Sequence, residues 1–260
     1  MRSKWIDQAG NPILITKTPK TLFSGVPSLT ETFIHCCSPH SVVARTKFCI
    51  HPHELVSSIP KVGGTKHLNI NKIIELNPDI VILNKEENTY DDYVELAKHF
   101  PVYVSDIYDT DSLISFMNEM ADIFKLNSLR RLCLDIEKNR VENTKYKNIN
   151  KVAYIIWRNP YMSVGGDTYI NHMIEEAGFI NIFKDKKRYP EVSWEEILSH
   201  NPDYIFLSSE PFPFSQKHID ELDVNYNTDQ IKIVDGEMFS WYGIRNLLAY
   251  EYFKTLHKSL

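Results

Sequence analysis

A chain of 260 residues with 29 Lys and Arg against 34 Asp and Glu carries a formal charge of −5, with both signs spread along its length. That balance excludes a nucleic-acid or anionic-membrane surface, which needs clustered positive charge. Folding at this length buries roughly three quarters of the surface the open chain exposes, so one large domain or two modest ones need no staples.

The four cysteines, Cys36, Cys37, Cys49 and Cys133, show no CxxC spacing, and neither a disulfide framework nor a zinc site is expected. The first residues, Met1-Arg-Ser-Lys-Trp-Ile-Asp-Gln, lead into no apolar run of signal-peptide length. No stretch approaches the ~20 apolar residues of a membrane span. The expected location is cytoplasmic as written, and periplasmic or cell-surface if an export signal was removed.

In chain order, the first half offers strands at Thr21 to Ser24, Val42 to Thr46, Ile80 to Leu83 and Val102 to Val104. Its helices are Leu29 to Cys36, Asn71 to Leu76 and Asp91 to His99, the first opened by a Ser28-x-x-Glu31 capping box. Residues Thr110 to Lys147 carry no strand signal and no proline. Leu129, Leu132, Cys133 and Ile136 fall there at helical spacing, which predicts a helix of about 20 residues from Ser128, about 30 Å long. The polar tract from Asn143 to Lys151 then leads into the second half. That half offers strands at Val152 to Ile156, Tyr204 to Ser208 and Ile231 to Val234, and helices at Tyr169 to Ala177, Trp194 to Ser199, Lys217 to Leu222 and Ile244 to His257.

One unit occurs twice. Residues Ile73 to Leu83 read IIELNPDIVIL, and Ile197 to Leu207 read ILSHNPDYIFL, with Asp79 and Asp203 separated by 124 positions. Proline cannot continue a helix, so Asn77-Pro78 and Asn201-Pro202 end theirs, and the apolar runs that follow suit strands covered on both faces. Strands alternating with helices predict an α/β fold: two Rossmann-like parallel-sheet lobes joined by one long α-helix. Residues 1–108 form the N-terminal lobe, 109–149 a helical segment that includes the linking helix, and 150–260 the C-terminal lobe.

Several motifs in order carry a resemblance: Trp5-Ile-Asp-Gln-Ala-Gly-Asn-Pro-Ile, Pro19 to Ser24, Val26-Pro-Ser-Leu-Thr-Glu31, Lys61-Val-Gly-Gly64, both NPD strands, and Tyr189-Pro-Glu-Val-Ser-Trp-Glu-Glu196. Over nearly its whole length the chain resembles the periplasmic binding proteins whose lobes are joined by one backbone helix. That family delivers cobalamin, iron–siderophores, haem or metals to importers. Phe48-Cys-Ile-His-Pro52 is similar to the aromatic-x-Asp-Tyr-Pro loop of the cobalamin branch, with Ile50 standing where that branch keeps Asp. Trp157-Arg-Asn-Pro-Tyr161 is similar to its second-lobe cleft loop. The resemblance implies a binding protein, not an enzyme, that captures a cobalamin-like corrinoid between two lobes for ABC-type import. A ferric siderophore or haem is the alternative ligand. A tetrapyrrole chelatase and a cytoplasmic carrier are the alternatives of another class.

In such a fold the ligand sits outside the carboxyl ends of the strands. The loops there supply the ligand-binding candidates Phe48, Trp157, Tyr161, Tyr189, Trp241 and Tyr242, since aromatic walls bury a large planar ligand at small entropic cost. Arg158 and Arg245 are candidates for carboxylates, phosphate or amide oxygens. Ordinary core is the competing reading for the aromatics, Phe239 above all, and a solvated surface for the arginines. His51, His53 and His67 could ligate a metal, but scattered surface histidines are commoner, so no metal site and no cofactor are expected. There is no phosphate loop and no GxSxG or HExxH, so no catalytic residue is nominated. The implied partners are a corrinoid or iron chelate and an ABC-type permease, the chain being monomeric. The resemblance also makes Glu195 a permease-docking carboxylate. The offset of 124 places the neutral Asn71 at the corresponding position of the first lobe, where Glu75 could substitute.

Overall fold

The computed structural model describes residues 3–144, 150–222 and 227–260. They divide into two units, Met1–Asp135 with Tyr242–Ile244, and Ile136–Trp241 with Arg245–Leu260. Both are α/β, and each sheet draws all its strands from one unit. Among the described residues no helix is long and apolar enough to cross a membrane.

The first unit opens on an antiparallel hairpin, β1 (Ser3–Ile6) with β2 (Pro12–Ile15). Strands β3 (Leu22–Ser24), β4 (Val42–Ala44), β7 (Ile80–Asn84) and β8 (Val102–Ser105) form a parallel sheet in the order β4-β3-β7-β8. Around them in the chain run α1 (Pro27–Cys36), α2 (His53–Val56), the short pair β5 (Gly63–Gly64) and β6 (His67–Leu68), α3 (Ile70–Leu76), α4 (Tyr90–Leu96) and α5 (Thr110–Phe124). One apolar cluster packs Phe23, Val81, Leu83, Val102 and Val104 of the strands against Ile73 of α3 and Leu96 of α4. All five residues of β7 are buried, as a central strand covered on both faces should be.

Helix α6 (Asn127–Asn143) runs across the division, its residues to Asp135 counting with the first unit and those from Ile136 with the second. It has 17 residues, and Leu129, Leu132, Cys133 and Ile136 are buried on it as their spacing predicts. Much of the polar tract from Asn143 to Lys151 lies outside the described residues.

In the second unit, β9 (Lys151–Trp157), β10 (Met162–Ser163), β11 (Ile180–Asn181), β12 (Tyr204–Ser208) and β13 (Ile231–Val234) form one sheet, ordered β10-β9-β12-β13 with β11 also paired to β9. Helices α7 (Tyr169–Glu176), α8 (Trp194–Ser199), α9 (Gln216–Asp220), α10 (Glu237–Ser240) and α11 (Arg245–Ser259) accompany it.

The internal echo is structural as well as sequential. Asn69 caps α3 by accepting the Lys72 N–H, and Ser193, 124 positions on, caps α8 by accepting the Glu196 N–H. Asn77 and Asn201 both take left-handed backbone, with φ of 47° and 48°. This departs from the extended conformation that a following proline favours, and asparagine is among the few residues that tolerate it. Ile73 and Ile197 are fully buried equivalents.

One expectation is corrected. Ser28 and Glu31 do not cap α1: the helix starts earlier, with Val26 at the N-cap and Pro27 already inside it, so both residues lie buried within the helix. Proline suits the first helical turn because it lacks the N–H that would go unsatisfied there. The main strands of both units pair in parallel, as expected, and the second unit adds one antiparallel strand, because the chain turns back after Trp157 and lays β10 on β9. The stretch around Trp5 to Ile13 forms strands, and its turn is used twice over. Asp7 Oδ1 accepts the Asn11 N–H at 2.7 Å, while Asp7 Oδ2 accepts the Val104 N–H of β8 at 2.9 Å and Gln8 Oε1 accepts the Asp106 N–H at 2.9 Å. Side-chain acceptors thus satisfy a sheet edge that would otherwise expose its donors.

Candidate functional site

Parallel strands deliver their carboxyl ends to one end of each sheet, and the loops there are held by polar side chains. In the first unit, Asn84 at the end of β7 accepts the N–H groups of Glu86 and Glu87 at 2.8 and 3.1 Å and donates to Ser105 Oγ at 3.1 Å. Asn88 accepts the Asn84 N–H at 2.9 Å and donates to the carbonyls of Gly25 and Thr65 at 3.1 and 2.9 Å. A Cβ at Gly25 would meet Asn88 Nδ2 at 2.7 Å and Leu83 Cδ2 at 2.9 Å, so a side chain there would displace Asn88 from its hydrogen bonds or shift Leu83. Asn84 and Asn88 also line a cavity of about 260 Å³ with Tyr90 and Tyr93.

After β4 the loop is organised by buried Arg45, whose guanidinium donates to the carbonyls of Cys49 at 2.9 Å and Ile59 at 3.2 Å. Cys49 is fully buried, and its neighbours Phe48 and Ile50 are each 48% exposed. A buried arginine that satisfies backbone carbonyls thus presents two apolar side chains to solvent. The Lys47 ammonium lies 4.9 Å from the centre of the Phe48 ring.

In the second unit Trp157 ends β9, 40% exposed, with its ring edge-on to Phe212 at 5.8 Å. Tyr161 stacks edge-on to Trp194 at 5.3 Å, and both pack against the apolar cluster of this unit. Tyr189 is half-buried, with the Arg188 guanidinium 5.4 Å from its ring. Arg158 is held by Glu221 at 2.7 Å; the bond keeps the guanidinium above its ordinary pKa and the carboxyl below its own. Arg245 is buried, ion-paired to Glu237 at 2.9 Å, with its guanidinium 5.4 Å from the Trp241 ring.

Serine 208 occupies the place in β12 that Asn84 occupies in β7, and it too fastens the loop beyond it, donating to the Glu210 carbonyl at 2.6 Å. The Glu210 side chain accepts from Ser240 Oγ at 2.7 Å. Burial pushes its carboxyl above the usual range, against the hydrogen bonds from Ser240 and Trp241 and together with the charges of Glu237 and Asp235.

The nominated residues therefore differ in what they present. Phe48 and Trp157 are exposed, Tyr161, Tyr189 and Trp241 are half-buried, and Tyr242 and Arg245 are buried. Tyr242 belongs with Gly243 and Ile244 to the first unit, where the Ile244 N–H donates to Thr32 Oγ1 at 3.0 Å. Phe239 is fully buried core. Among the described residues no group of three His, Cys, Asp or Glu side chains is arranged to hold a metal. Glu195 is exposed in the first turn of α8, where its own backbone N–H and the Ser193 hydroxyl hold its carboxyl below the usual range. Asn71, in the first turn of α3, is exposed as well. Sequence reasoning missed Asn84, Asn88, Glu210 and Glu221. The repeat offset pairs Asn84 with Ser208 and Glu86 with Glu210, and could have found two of them.

A family model described as periplasmic binding protein matches residues 26–232. The vitamin B12-binding protein of Vibrio vulnificus strain CMCP6 is 26% identical over 197 residues, covering 72% of this chain and 70% of that one. Among solved structures, the periplasmic vitamin B12 binding protein BtuF of Vibrio cholerae superposes with a TM-score of 0.76 at 20% identity, covering 93% of this chain and 97% of that one. The periplasmic heme-binding protein RhuT from Roseiflexus sp. RS-1 superposes with a TM-score of 0.78 at 18% identity, covering 92% and 98%. At those identities the two structures speak to the fold.

Proposed function

The chain belongs to the periplasmic binding protein family, and we propose that it is a solute-binding protein, not an enzyme, that captures a cobalamin-like corrinoid for ABC-type import. The observation that carries this reading is the exposure of Phe48 and Trp157 at strand-end loops whose backbones are otherwise tied down. Large aromatic side chains half-open to water on a rigid support are recognition surfaces, because covering them releases water at little cost in chain entropy. A corrin ring offers the broad, weakly polar area such side chains cover. Its rim of amides suits the remaining groups, Tyr161, Tyr189 and Trp241, and relatives named for vitamin B12 binding support the same class. In this reading the protein works as a monomer, outside the cytoplasmic membrane, and Glu195 meets a permease.

Absorbance titrations of the purified protein with cyanocobalamin, hemin and a ferric siderophore test it. Saturable binding of cyanocobalamin at micromolar concentration or below is the expected result. Saturation by hemin or the ferric chelate alone would move the ligand to the haem or iron branch. Metal insertion into a porphyrin at a protein-dependent rate would overturn the binding-protein reading.

A further inference from the structure

Both arginines that the sequence offers to an anionic ligand in the second unit are already held by carboxylates. Arg158 follows β9 directly and is fastened to Glu221 at 2.7 Å, with the arginine side chain 22% and the glutamate 46% exposed. Arg245 is fastened to Glu237 at 2.9 Å, with side chains 8% and 19% exposed. Two further carboxylates, Glu210 and Asp235, stand at the ends of β12 and β13. Four carboxylates thus stand with two guanidinium groups, and Lys217 and His218 act on Glu221 as well.

We infer that Glu221 and Glu237 set the charge class of the ligand, each occupying an arginine so that this unit receives a neutral or cationic molecule and rejects one bearing free carboxylates. An anionic ligand would have to displace an in-chain carboxylate from Arg158 and would approach Glu210, Asp235 and Glu237 as like charges. Juxtaposed like charges are an effective means of refusing a wrong partner. A neutral ring with an amide rim meets neither obstacle. The inference rests on the reading of these loops as ligand-contacting, and it says which side chains choose among the ligands of that reading.

The test compares wild type with Glu221→Gln, a substitution at a half-exposed side chain that keeps its shape and removes the charge that holds Arg158. Cyanocobalamin carries no free carboxylate, hemin carries two, and the dimethyl ester of hemin carries none. The ratio of hemin to cyanocobalamin affinity is expected to shift about tenfold toward hemin in Glu221→Gln, by freeing one guanidinium for a carboxylate. The double variant Arg158→Gln/Glu221→Gln should lose that gain, and the diester should show none in either. Equal hemin affinity in wild type and Glu221→Gln, including none in both, overturns the inference, as does an equal gain for the diester. Wild type that fails to bind cyanocobalamin overturns the corrinoid reading alone, because the change in hemin affinity between the two proteins still reads the charge effect.

Discussion

Asp79 and Asp203, 124 positions apart, each lock the central strand of their own sheet to its neighbour. Asp79 Oδ2 accepts the N–H groups of Lys20 and Thr21 at 2.8 and 3.2 Å, and its own N–H donates to the Thr21 carbonyl at 3.1 Å. Asp203 Oδ2 accepts the Lys151 N–H at 2.7 Å, and its N–H donates to the Lys151 carbonyl at 2.8 Å. These bonds sit just before the ladders that pair Leu22 with Ile80 and Val152 with Tyr204, so they fix register.

Replacing either aspartate by alanine should therefore cost about 2 kcal/mol in urea unfolding, the scale of hydrogen bonds to a charged acceptor. Asp79 has in addition a pH signature. Burial would raise its carboxyl, but bonds from Lys17, Lys20 and Thr21 outweigh that and hold it below the ordinary aspartate value of 3.8. A depressed folded-state pKa contributes stability that is present above the ordinary value and lost as pH falls through the folded one. The gap between wild type and Asp79→Ala should hold from neutral pH to about pH 4 and narrow below it; a gap that widens on acidification would contradict the arrangement.

Trp157→Ala should weaken ligand binding by about 2 kcal/mol or more, as truncation of an aromatic anchor does, with little loss of stability because the ring is 40% exposed. Trp241→Ala should weaken binding on the same scale and also lower the melting temperature, since Trp241 is half-buried against Arg245. Calorimetric titration beside thermal unfolding separates the two effects. Wild-type affinity in both variants would return these residues to the packing.

Glu176 holds the second-unit end of α6. Its carboxylate receives Arg140, His172 at 3.1 Å and the Tyr250 hydroxyl at 2.7 Å, and its carbonyl accepts Asn143 Nδ2 at 2.6 Å. Burial would raise this carboxyl, but His172, Tyr250 and Arg140 together hold it below the ordinary glutamate value of 4.5. Glu176→Gln should destabilise by about 2 kcal/mol at neutral pH, by removing the buried carboxylate charge that Arg140, His172 and Tyr250 share. The difference should shrink as pH falls below the ordinary glutamate value, because the wild-type group is then itself being neutralised. Denaturant melts across pH 3 to 7 measure it.

Glu195→Lys should leave ligand affinity unaltered and lower stability only slightly, because the side chain is exposed but sits in the first turn of α8, where a carboxylate suits the helix dipole. It should abolish capture by a permease that reads this carboxylate. A complex that survives the charge reversal would place docking elsewhere. Lysine replacing Asn71 on α3, tested in parallel, should have a smaller effect, since no carboxylate is lost there.

Local chemistry made much of this protein legible in its sequence. Proline after asparagine stopped α3 and α8, and uninterrupted apolar runs announced β7 and β12. The repeat at a fixed offset then declared that one unit had been used twice. Each of these features depends on residues within a turn or a strand of one another, so the one-dimensional pattern contains the cause. Which candidates face water was not decided there: Trp157, Tyr242 and Phe239 are all aromatic residues at or beyond strand ends, and only the first is exposed. The tertiary structure also decided that Asp7 completes the edge of β8, 97 positions away, and that Glu221 holds Arg158 across 63. Burial and charge pairing are set by segments distant in the chain, and no local pattern encodes which carboxylate will arrive beside which arginine.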